Sequence, residues 1–456
     1  MLKAITFNDF KSYRHARLPL APLTVLIGAN ASGKSNAIEG MRLLSWLARG
    51  QSLSDIQYAV QSGESIVRGA VNDLSYECGD SFGMEVETDE LEWNRLVFSL
   101  TRRERGLHIT AESMTHDGAV VPLYIIRQPS VKQGSDISVA YNNFSSGGKK
   151  PLVTCSDQSA IFTQLTSPAT FDAVHQLSRE IIPAVTKQLK QWLSAMLFLD
   201  PVPAQMRDYA FPSDSVLQGN GKNVSAVLYN LWCNADLQLD LFGSDDQLLV
   251  SEQKKQDFNR QSILGFIQSL PEQDIADIDF VKEPKGRVMV KLTETFGGRS
   301  KEYDASLLSD GTLRVLAIAA AMLSAPEGSL VVIEEIDNGV HPSRAHHLLQ
   351  QIQQIAQERS LRVLLSTHNP AMLDALPDSA VPDVVFCYRD PEDGSSRLVR
   401  LADVPDYPEL IAQGTLGHLM TSGTLERFVK HHPKGEERKL RALEWLEKLR
   451  SEEANG

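Results

Sequence analysis

Apolar and polar residues alternate at the start of the chain and then give way to an apolar pattern of helical period. Alternation over residues 2–7 and 17–27 predicts two strands around a short turn, since successive strand side chains point to opposite faces. The next segment predicts a helix over 34–48. Its apolar residues recur three positions apart: Ile38, Met41, Leu44 and Leu47. The chain therefore begins with strands and a helix joined by residues 28–33.

The middle of the chain changes from strands to helices and back. Alternating stretches between residues 81 and 127 predict antiparallel strands, whereas the Ser-, Gly-, Asn- and Lys-rich segment 128–158 predicts a long surface loop. Further along the chain, the patterns predict helices over 170–196, 222–233 and 252–269 and strands near 276–281 and 287–293. The middle is thus expected to be a β-rich lobe followed by a helical insertion.

The last part of the chain alternates helix and strand. The patterns predict helices over 312–323 and 343–357 and strands over 329–333, 361–366 and 383–388. Such alternation is typical of a parallel sheet covered by helices. Residues 23–27 have no nearby partner of this type, so we expect both chain ends to build the core sheet, with 80–300 as an elaborated middle. Residues 436–452 predict an amphipathic helix, which either packs on its own domain or binds a partner.

Composition narrows the class of protein. Of the 456 residues, 42% are hydrophobic and 23% charged, as in an ordinary globular protein of two or three domains. A net charge of −13 argues against a uniformly basic nucleic-acid binder but leaves room for a local basic patch. No apolar run approaches the roughly 20 residues that cross a bilayer, and the N-terminus lacks a signal peptide's apolar region. We expect no membrane association.

The cysteines suggest a reducing compartment. They lie far apart and form no C-x-x-C pair: Cys78, Cys155, Cys233 and Cys387. Neither a zinc site nor a disulfide framework is indicated by this spacing. We therefore expect buried, reduced thiols in a cytoplasmic protein.

Residues 28–35 read Gly-Ala-Asn-Ala-Ser-Gly-Lys-Ser and directly follow the apolar run 23–27. This is the Walker A pattern in its required context of a strand, a glycine-rich turn and a helix. The glycines let backbone amides approach a phosphate, the lysine reaches the β- and γ-phosphates, and the serine hydroxyl ligates Mg²⁺. The residues expected to bind the nucleotide are Gly28, Asn30, Gly33, Lys34 and Ser35.

Two other segments carry candidate chemistry. Residues 330–335 form an apolar strand that ends in paired carboxylates, and we assign Glu334 to the metal shell and Glu335 to the attacking water. The alternative is a strand end with solvated acids. Ser309, two residues before Gly311, is placed to cap a helix whose N-terminus can approach an anion.

A polar histidine ends another apolar strand. Residues 363–370 read Val-Leu-Leu-Ser-Thr-His-Asn-Pro. An isolated histidine is more often structural. The position of His368 directly after this strand instead makes it a candidate sensor of the γ-phosphate.

These motifs occur in the order found in ABC-type ATPases. The order is Gly-x-x-x-x-Gly-Lys-Ser, Leu-Ser-Asp-Gly-Thr, Val-Val-Ile-Glu-Glu-Ile-Asp-Asn-Gly-Val-His-Pro and Ser-Thr-His-Asn-Pro. The chain resembles the soluble RecF/SMC-like and OLD-like group over about 1–60 and 300–400. Residues 7–13 resemble the first strands of that group, and 198–207 resemble stand-alone bacterial AAA-type ATP-binding proteins.

The resemblance implies an α/β P-loop NTPase fold. We expect an ABC-type ATPase head with a β-rich lobe and a helical insertion. The expected divisions are 1–80 (head with Walker A), 81–300 (lobe and insertion), 301–400 (head with signature, Walker B and switch histidine) and 401–456 (extension ending in a helix).

Within one subunit, the resemblance implies ATP and Mg²⁺ as cofactors. Lys34 and Ser35 would bind the phosphates and the metal. Glu335 would be the catalytic carboxylate, and His368 the switch histidine. The family usually has Asp where Glu334 stands, so we expect the metal shell to be shifted by the length of one methylene group.

Between subunits, the resemblance implies a homodimer or larger homo-oligomer. Ser309 and Gly311 would belong to the signature loop, which in the family contacts the γ-phosphate bound by the other subunit. Asp337 would approach the subunit interface. The family's Gly-Gly-Gln is replaced by Asp310-Gly311-Thr312. For the glutamine loop, three candidates remain open: Gln57, Gln61 and Gln205.

The implied function is an ATP-hydrolysing conformational switch in bacterial phage defence or DNA repair, controlling a separate effector such as a nuclease. The alternative is a non-catalytic, ATP-gated scaffold. No sustained heptads or zinc hook suggest a chromosome-tethering machine. Asp390, Glu392 and Asp393 read as a solvated acidic loop, and no metal-ligand cluster in 80–300 suggests a nuclease centre. Basic clusters at 102–105 and 149–150 make nucleic acid a candidate partner.

Overall fold

The computed structural model describes residues 1–56, 66–89, 92–104, 106–118, 120–130, 134–233, 246–268, 275–338 and 342–431. The strands are β1 (Leu2–Phe10), β2 (Tyr13–Pro19), β3 (Leu23–Ile27), β4 (Ser81–Thr88), β5 (Arg95–Arg103), β6 (Gly106–Thr115), β7 (Tyr124–Gln128), β8 (Asp136–Tyr141), β9 (Leu152–Ser156), β10 (Leu197–Leu199), β11 (Ile275–Lys282), β12 (Val288–Phe296), β13 (Arg299–Asp304), β14 (Leu330–Ile333), β15 (Arg362–Ser366), β16 (Val384–Arg389) and β17 (Ser396–Arg400). The helices are α1 (Lys34–Ala48), α2 (Ile161–Gln164), α3 (Gln176–Ser194), α4 (Pro203–Met206), α5 (Val224–Cys233), α6 (Asp246–Ile267), α7 (Asp310–Ser324), α8 (Pro342–Glu358), α9 (Pro370–Asp374), α10 (Tyr407–Ile411), α11 (Leu416–Thr421) and α12 (Thr424–His431).

A mostly parallel sheet built from both ends of the chain forms the centre. Its strand order is β10-β14-β15-β3-β16-β17, and only the edge strand β17 runs antiparallel to its neighbour. In β3, Val25 is aligned with Leu365 of β15 on one side and with Val384 of β16 on the other. The prediction that both chain ends build the core sheet is confirmed. Every residue of β3 is buried, as expected for a parallel strand covered on both faces.

Helix α1 packs between two sheets. The second sheet is antiparallel, with the order β2-β1-β4-β5-β6-β7-β8-β9. Phe7 and Phe10 of that sheet, Met41 and Leu44 of α1, and Leu364 of β15 belong to one buried cluster. Another cluster, with residues of α5, α7 and α8, covers the opposite face of the central sheet. Apolar packing from both sides therefore fixes α1, the helix that begins at the glycine-rich turn.

The segment 128–158 contains two strands, β8 and β9, although its composition predicts a loop. β8 pairs with β7 and β9, and together they complete the antiparallel sheet. The alternating side chains of Ile137, Val139 and Tyr141 are buried. The prediction of a long surface loop was wrong because the polar residues concentrate in the turn between these strands and mask their alternation.

Two other expectations about strands need correction. Residues 17–27 form the end of β2 and all of β3, separated by residues 20–22, rather than one strand. β13 was not predicted, because Arg299–Asp304 is a polar strand at the edge of the small sheet β11-β12-β13. The other predicted helices and strands lie within a few residues of the observed bounds, except that α3 begins at Gln176 and α6 begins at Asp246. The elements that were not predicted include β10, β17 and the short helices α9 to α12.

The four cysteines form no disulfide among the described residues, and not all of them are buried. Cys155 and Cys387 are buried, whereas Cys78 is exposed and Cys233 is partly exposed, so the expectation of four buried thiols was wrong. In the part of the chain that the structure describes, no helix is both long and apolar enough to cross a membrane. The predicted helix over 436–452 lies outside the described residues.

Glu112 is a buried carboxylate in the antiparallel sheet. It accepts hydrogen bonds of 2.8 Å each from the Tyr124 hydroxyl and the Ile161 and Phe162 amides. Burial raises the pKa of Glu112 from 4.5 to about 7, although the hydrogen bonds lower it. The folded state therefore holds the Glu112 proton more tightly than the unfolded state. The resulting destabilisation grows as the pH rises from about 4.5 to about 7.

Replacing Glu112 with glutamine removes this titration. Relative to the wild type, Glu112→Gln is expected to gain up to about 3 kcal/mol of unfolding free energy as the pH rises from 5 to 8. Urea unfolding of both proteins at both pH values measures the difference. The exposed Glu104→Gln variant is the control and should show no such trend. A stability difference that stays constant with pH would contradict the buried titration.

Candidate nucleotide site

The glycine-rich turn between β3 and α1 needs glycine at two positions. Gly28 has a φ of +145° and Gly33 a φ of +124°. A Cβ on Gly28 would lie 2.1 Å from the carbonyl oxygen of Cys387, and one on Gly33 would lie 2.4 Å from Ser396 Oγ. Both the backbone angles and the close contact with β16 and β17 therefore exclude a side chain here.

Side chains of three strands hold the carbonyl groups of this turn. The Tyr13 hydroxyl donates to the carbonyl oxygen of Gly33 over 3.0 Å. Cys387 Sγ and Ser396 Oγ donate to the carbonyl oxygen of Ser32 over 3.3 and 2.5 Å. Burial raises the pKa of both Tyr13 and Cys387, which keeps them protonated as donors. These contacts were not predicted, because they join residues far apart in the chain.

The start of α1 and Lys34 offer positive charge. No side chain among the described residues caps α1 at Gly33, and its first turn has no acidic residue, so its amides are available to an anion. Lys34 Nζ donates to the carbonyl oxygens of Gly28 and Ala29 over 2.6 and 3.0 Å. Burial lowers the pKa of Lys34, and the nearby groups of Cys387 and Glu335 oppose that shift.

A cavity of about 470 Å³ brings most of the predicted site residues together. Its lining includes Asn30, Gly33, Lys34, Ser35, Glu334, Glu335 and His368. These residues lie at or just beyond the C-terminal ends of β3, β14 and β15, the edge at which parallel α/β sheets bind ligands. Ser309 and Gly311 are not among the described residues that line this cavity.

Glu335 stands in a strained turn after β14. Its φ of +48° is uncommon for a residue with a side chain. The Glu335 amide donates to Ser366 Oγ over 3.0 Å, and Asn338 Nδ2 donates to Glu335 Oε2 over 2.7 Å. Backbone strain of this kind is characteristic of functional sites. The two contacts hold the exposed carboxylate in a fixed direction at the cavity.

His368 is the exposed end of a short polar chain. Thr367 Oγ1 donates to Asp337 Oδ1 over 2.7 Å, and Asp337 Oδ2 lies 3.7 Å from His368 Nδ1. The Asp337 side chain is only 6% exposed, whereas that of His368 is 57% exposed. The buried Asp337 carboxylate thus lies close to the exposed histidine without a direct hydrogen bond to it. Its approach to a subunit interface stays a prediction.

Glu334 points to the cavity and to a cation at the same time. It lines the cavity with Ser35 and forms an ion pair with Arg42 of α1. A hydroxyl and a carboxylate fit Mg²⁺, which prefers oxygen ligands and usually takes only one or two carboxylates beside substrate phosphates and water. Among the described residues there is no cluster of three or more His, Cys, Asp or Glu suited to a metal ion.

The predicted signature loop, residues 308–312, lies at the start of α7. Ser309 caps this helix by accepting a hydrogen bond from the Thr312 amide over 3.1 Å, as predicted. Arg207 donates to Asp310 Oδ1 over 2.6 Å and to the carbonyl oxygen of Leu308 over 3.0 Å. The departure at Asp310 from the family pattern is thus matched by a cationic partner that sequence reasoning missed.

Further basic residues surround the cavity. Arg68 and Arg389 also line it, and neither was predicted. A neighbouring cavity of about 460 Å³ shares Asn36 and Arg389 with it. Of the candidates for the glutamine loop, Gln57 and Gln61 lie outside the described residues. Gln205 lies in α4 and accepts a hydrogen bond from Asn220.

One protein-family model matches more than half of the chain. The matching family model is described as "AAA domain, putative AbiEii toxin, Type IV TA system", and it covers residues 23–109 and 159–374. The match includes the Walker A turn, the signature loop, the paired carboxylates and His368. The match therefore covers four strands of the central sheet, β3, β10, β14 and β15, and ends before β16 and β17.

Comparisons with individual proteins give shorter or more distant matches. The DNA replication and repair protein RecF of Gloeobacter violaceus is 41% identical over 69 residues, which are 15% of this chain and 16% of RecF. An SMC head bound to the C-winged helix domain of ScpA has 13% identity and a TM-score of 0.45, covering 87% of this chain and 96% of its own. The SMC head domain from Thermotoga maritima has 12% identity and a TM-score of 0.41, covering 88% and 98%.

Proposed function

Because the chain belongs to the AAA domain family of P-loop ATPases, we propose that it binds ATP with Mg²⁺ and hydrolyses it to drive a change of shape. The observation that carries this proposal is the single cavity lined by Lys34, Ser35 and Glu335. Equilibrium binding of ATP to the purified chain tests the proposed binding, and release of inorganic phosphate tests the proposed hydrolysis. Absence of ATP binding at every Mg²⁺ concentration would contradict it.

The residues of the cavity divide into binding and chemical roles. Lys34 and the first amides of α1 hold the phosphates, and the nucleoside extends toward the neighbouring cavity at Asn36. Glu335, held by Asn338, accepts a proton from the attacking water. Bound Mg²⁺, held by Ser35 and Glu334, would supply charge neutralisation at the β- and γ-phosphates.

We also propose that the active form is a homodimer or larger homo-oligomer. Ser309 is exposed at the start of α7 and does not line the cavity of its own chain among the described residues. Leu307, beside it, is 69% exposed. A head-to-tail pair would bring each signature loop to the other chain's Walker A turn. In this arrangement the exposed loop contacts the γ-phosphate of the ATP that the other chain binds.

Mixing two inactive variants tests the shared site. Lys34→Ala removes the phosphate ligand of one chain, and Ser309→Arg blocks the signature loop of the other. A mixed head-to-tail dimer then keeps one intact composite site. The mixture is expected to recover about a quarter of wild-type turnover, because half of the dimers are mixed and each has one working site. Ser422→Arg, in the exposed turn before α12, is the control for Ser309→Arg. No recovery after mixing would contradict sites shared between chains.

The setting we propose is bacterial phage defence or DNA repair, with ATP-driven closure controlling a separate effector such as a nuclease. Two findings support it: the family description names a toxin of a type IV toxin–antitoxin system, and the matched relative is a DNA replication and repair protein. Phage plating on cells with the wild type or Lys34→Ala tests the defence role, and survival after DNA damage tests the repair role.

Nucleic acid is a weaker candidate partner than the sequence implies. Arg102 pairs with Asp80, and Arg103 donates to Ser130 beside the buried Asp157. Lys150 donates to Asn143 over 2.9 Å. Cations engaged in this way have fewer free donors for phosphate contacts. DNA that neither binds at low salt nor changes ATP turnover would exclude the contact.

The alternative is an ATP-gated scaffold in which turnover is incidental. The ion pair of Glu334 with Arg42 favours it, because that carboxylate is engaged by a cation rather than open to a metal. Under this alternative, Glu335→Gln leaves assembly and biological output intact, whereas Lys34→Ala abolishes both.

A further inference from the structure

Arg42 is held between two groups on the side of the site that faces α1. It forms an ion pair with Glu334, and its guanidinium carbon lies 5.1 Å from the ring centre of Phe198 in β10. The side chains of the pair are 30% and 24% exposed. Contact with both an aromatic ring and a carboxylate distinguishes this arrangement from a loose surface ion pair, in which long side chains stay mobile.

Arg42 is close to Glu334 but not to the phosphate-binding turn. It follows Lys34 by eight residues on α1, which places it about 12 Å along the helix axis. Among the described residues that line the cavity, Glu334 is present and Arg42 is absent. Arg42 therefore acts on the site through Glu334, as a positioning residue.

We propose that Arg42 is a counter-ion that competes with Mg²⁺ for Glu334 and so raises the Mg²⁺ concentration needed to bind ATP. This rests on the proposed function, since Glu334 meets the metal only if the chain binds the Mg²⁺ complex of ATP. The long glutamate side chain lets one carboxylate turn toward Arg42 or toward Ser35. Glu334, which replaces the family's aspartate, and Arg42 thus act together to set the Mg²⁺ requirement.

The physical basis is competition between two cations for one carboxylate. While Glu334 is paired with Arg42, its negative charge is largely neutralised, and a metal ion must displace the guanidinium or accept a weaker ligand. Removal of the Arg42 charge frees the carboxylate and lowers the Mg²⁺ requirement. Nucleotide binding without Mg²⁺ should not change, because Arg42 does not line the cavity.

Mg²⁺ titration of nucleotide binding tests this role without relying on turnover. A fluorescent, non-hydrolysable ATP analogue is bound to the full chain at Mg²⁺ levels set by a chelator. Arg42→Met, which puts an uncharged side chain of similar length beside Phe198, is expected to lower the half-saturating Mg²⁺ concentration about three- to fivefold. Arg49→Met, at the exposed C-terminal end of the same helix, is the matched control and should leave it unchanged.

A double-variant cycle assigns the effect to the pair. In a Glu334→Gln background, Arg42→Met should no longer change the Mg²⁺ requirement. If Arg42→Met does not fold, Arg42→Gln carries the same test, with a smaller shift in the same direction. An unchanged or increased Mg²⁺ requirement, or an effect that persists with Glu334→Gln, would overturn the counter-ion role. Such a result leaves the proposed function standing, whereas failure of the wild type to bind the analogue would remove both.

Discussion

Replacement of Lys34 with alanine is expected to weaken ATP binding by at least about 100-fold, because the ammonium group supplies charge-assisted hydrogen bonds to the phosphates. In the structure Lys34 Nζ bonds to the carbonyl oxygens of Gly28 and Ala29. Its position is therefore set by the turn itself before any nucleotide arrives. Loss of the side chain removes a preorganised ligand rather than a mobile surface charge.

Equilibrium titration with ATP and Mg²⁺ measures this effect. Lys149→Ala, a lysine removed from the exposed turn between β8 and β9, is the control and should bind ATP as the wild type does. Circular dichroism and thermal unfolding of both variants establish that the fold is kept. Binding by Lys34→Ala within about threefold of the wild type would show that the phosphates lie elsewhere.

Glu335→Gln is expected to separate binding from hydrolysis. Glutamine has nearly the same shape and still accepts the hydrogen bond from Asn338, but its neutral amide cannot take the proton of the attacking water. Turnover should fall about 10²- to 10⁴-fold while ATP affinity stays within about twofold of the wild type. Single-turnover phosphate release and equilibrium binding measure the two quantities.

The control for this variant removes a carboxylate from the acidic loop between β16 and β17. Glu392→Gln should turn over ATP at the wild-type rate, because Glu392 is exposed and is not among the described residues that line the nucleotide cavity or its neighbour. If Glu335→Gln keeps most of its turnover, the proton acceptor is another group. Loss of turnover with intact biological output would favour the ATP-gated scaffold.

Local chemistry explains what the sequence predicted correctly. The local sequence of residues 28–35 is enough to predict the turn, since the two glycines permit positive φ values and the helix begins at Lys34. The convergence of Glu335 and His368 on one cavity follows from the rule that parallel strands end at the same edge of a sheet. The cap at Ser309 likewise depends only on residues three positions apart.

Contacts between distant residues explain what the sequence did not predict. The bonds from Tyr13, Cys387 and Ser396 to the glycine-rich turn arise only once β2, β16 and β17 are in place. The ion pair of Arg42 with Glu334 depends in the same way on α1 packing against the central sheet. No local pattern encodes such pairs, since either residue alone reads as an ordinary polar or core position.

The measurement that tests the central claim most directly is steady-state ATP turnover per chain against protein concentration, for the wild type and for Glu335→Gln. We expect wild-type turnover per chain to rise with concentration to a plateau, as composite sites form between chains, and turnover by Glu335→Gln to stay near zero throughout. Wild-type turnover that is absent at every concentration while ATP remains bound would contradict a hydrolysing switch. Turnover that is independent of concentration down to dilutions at which the chain is monomeric would contradict sites shared between subunits.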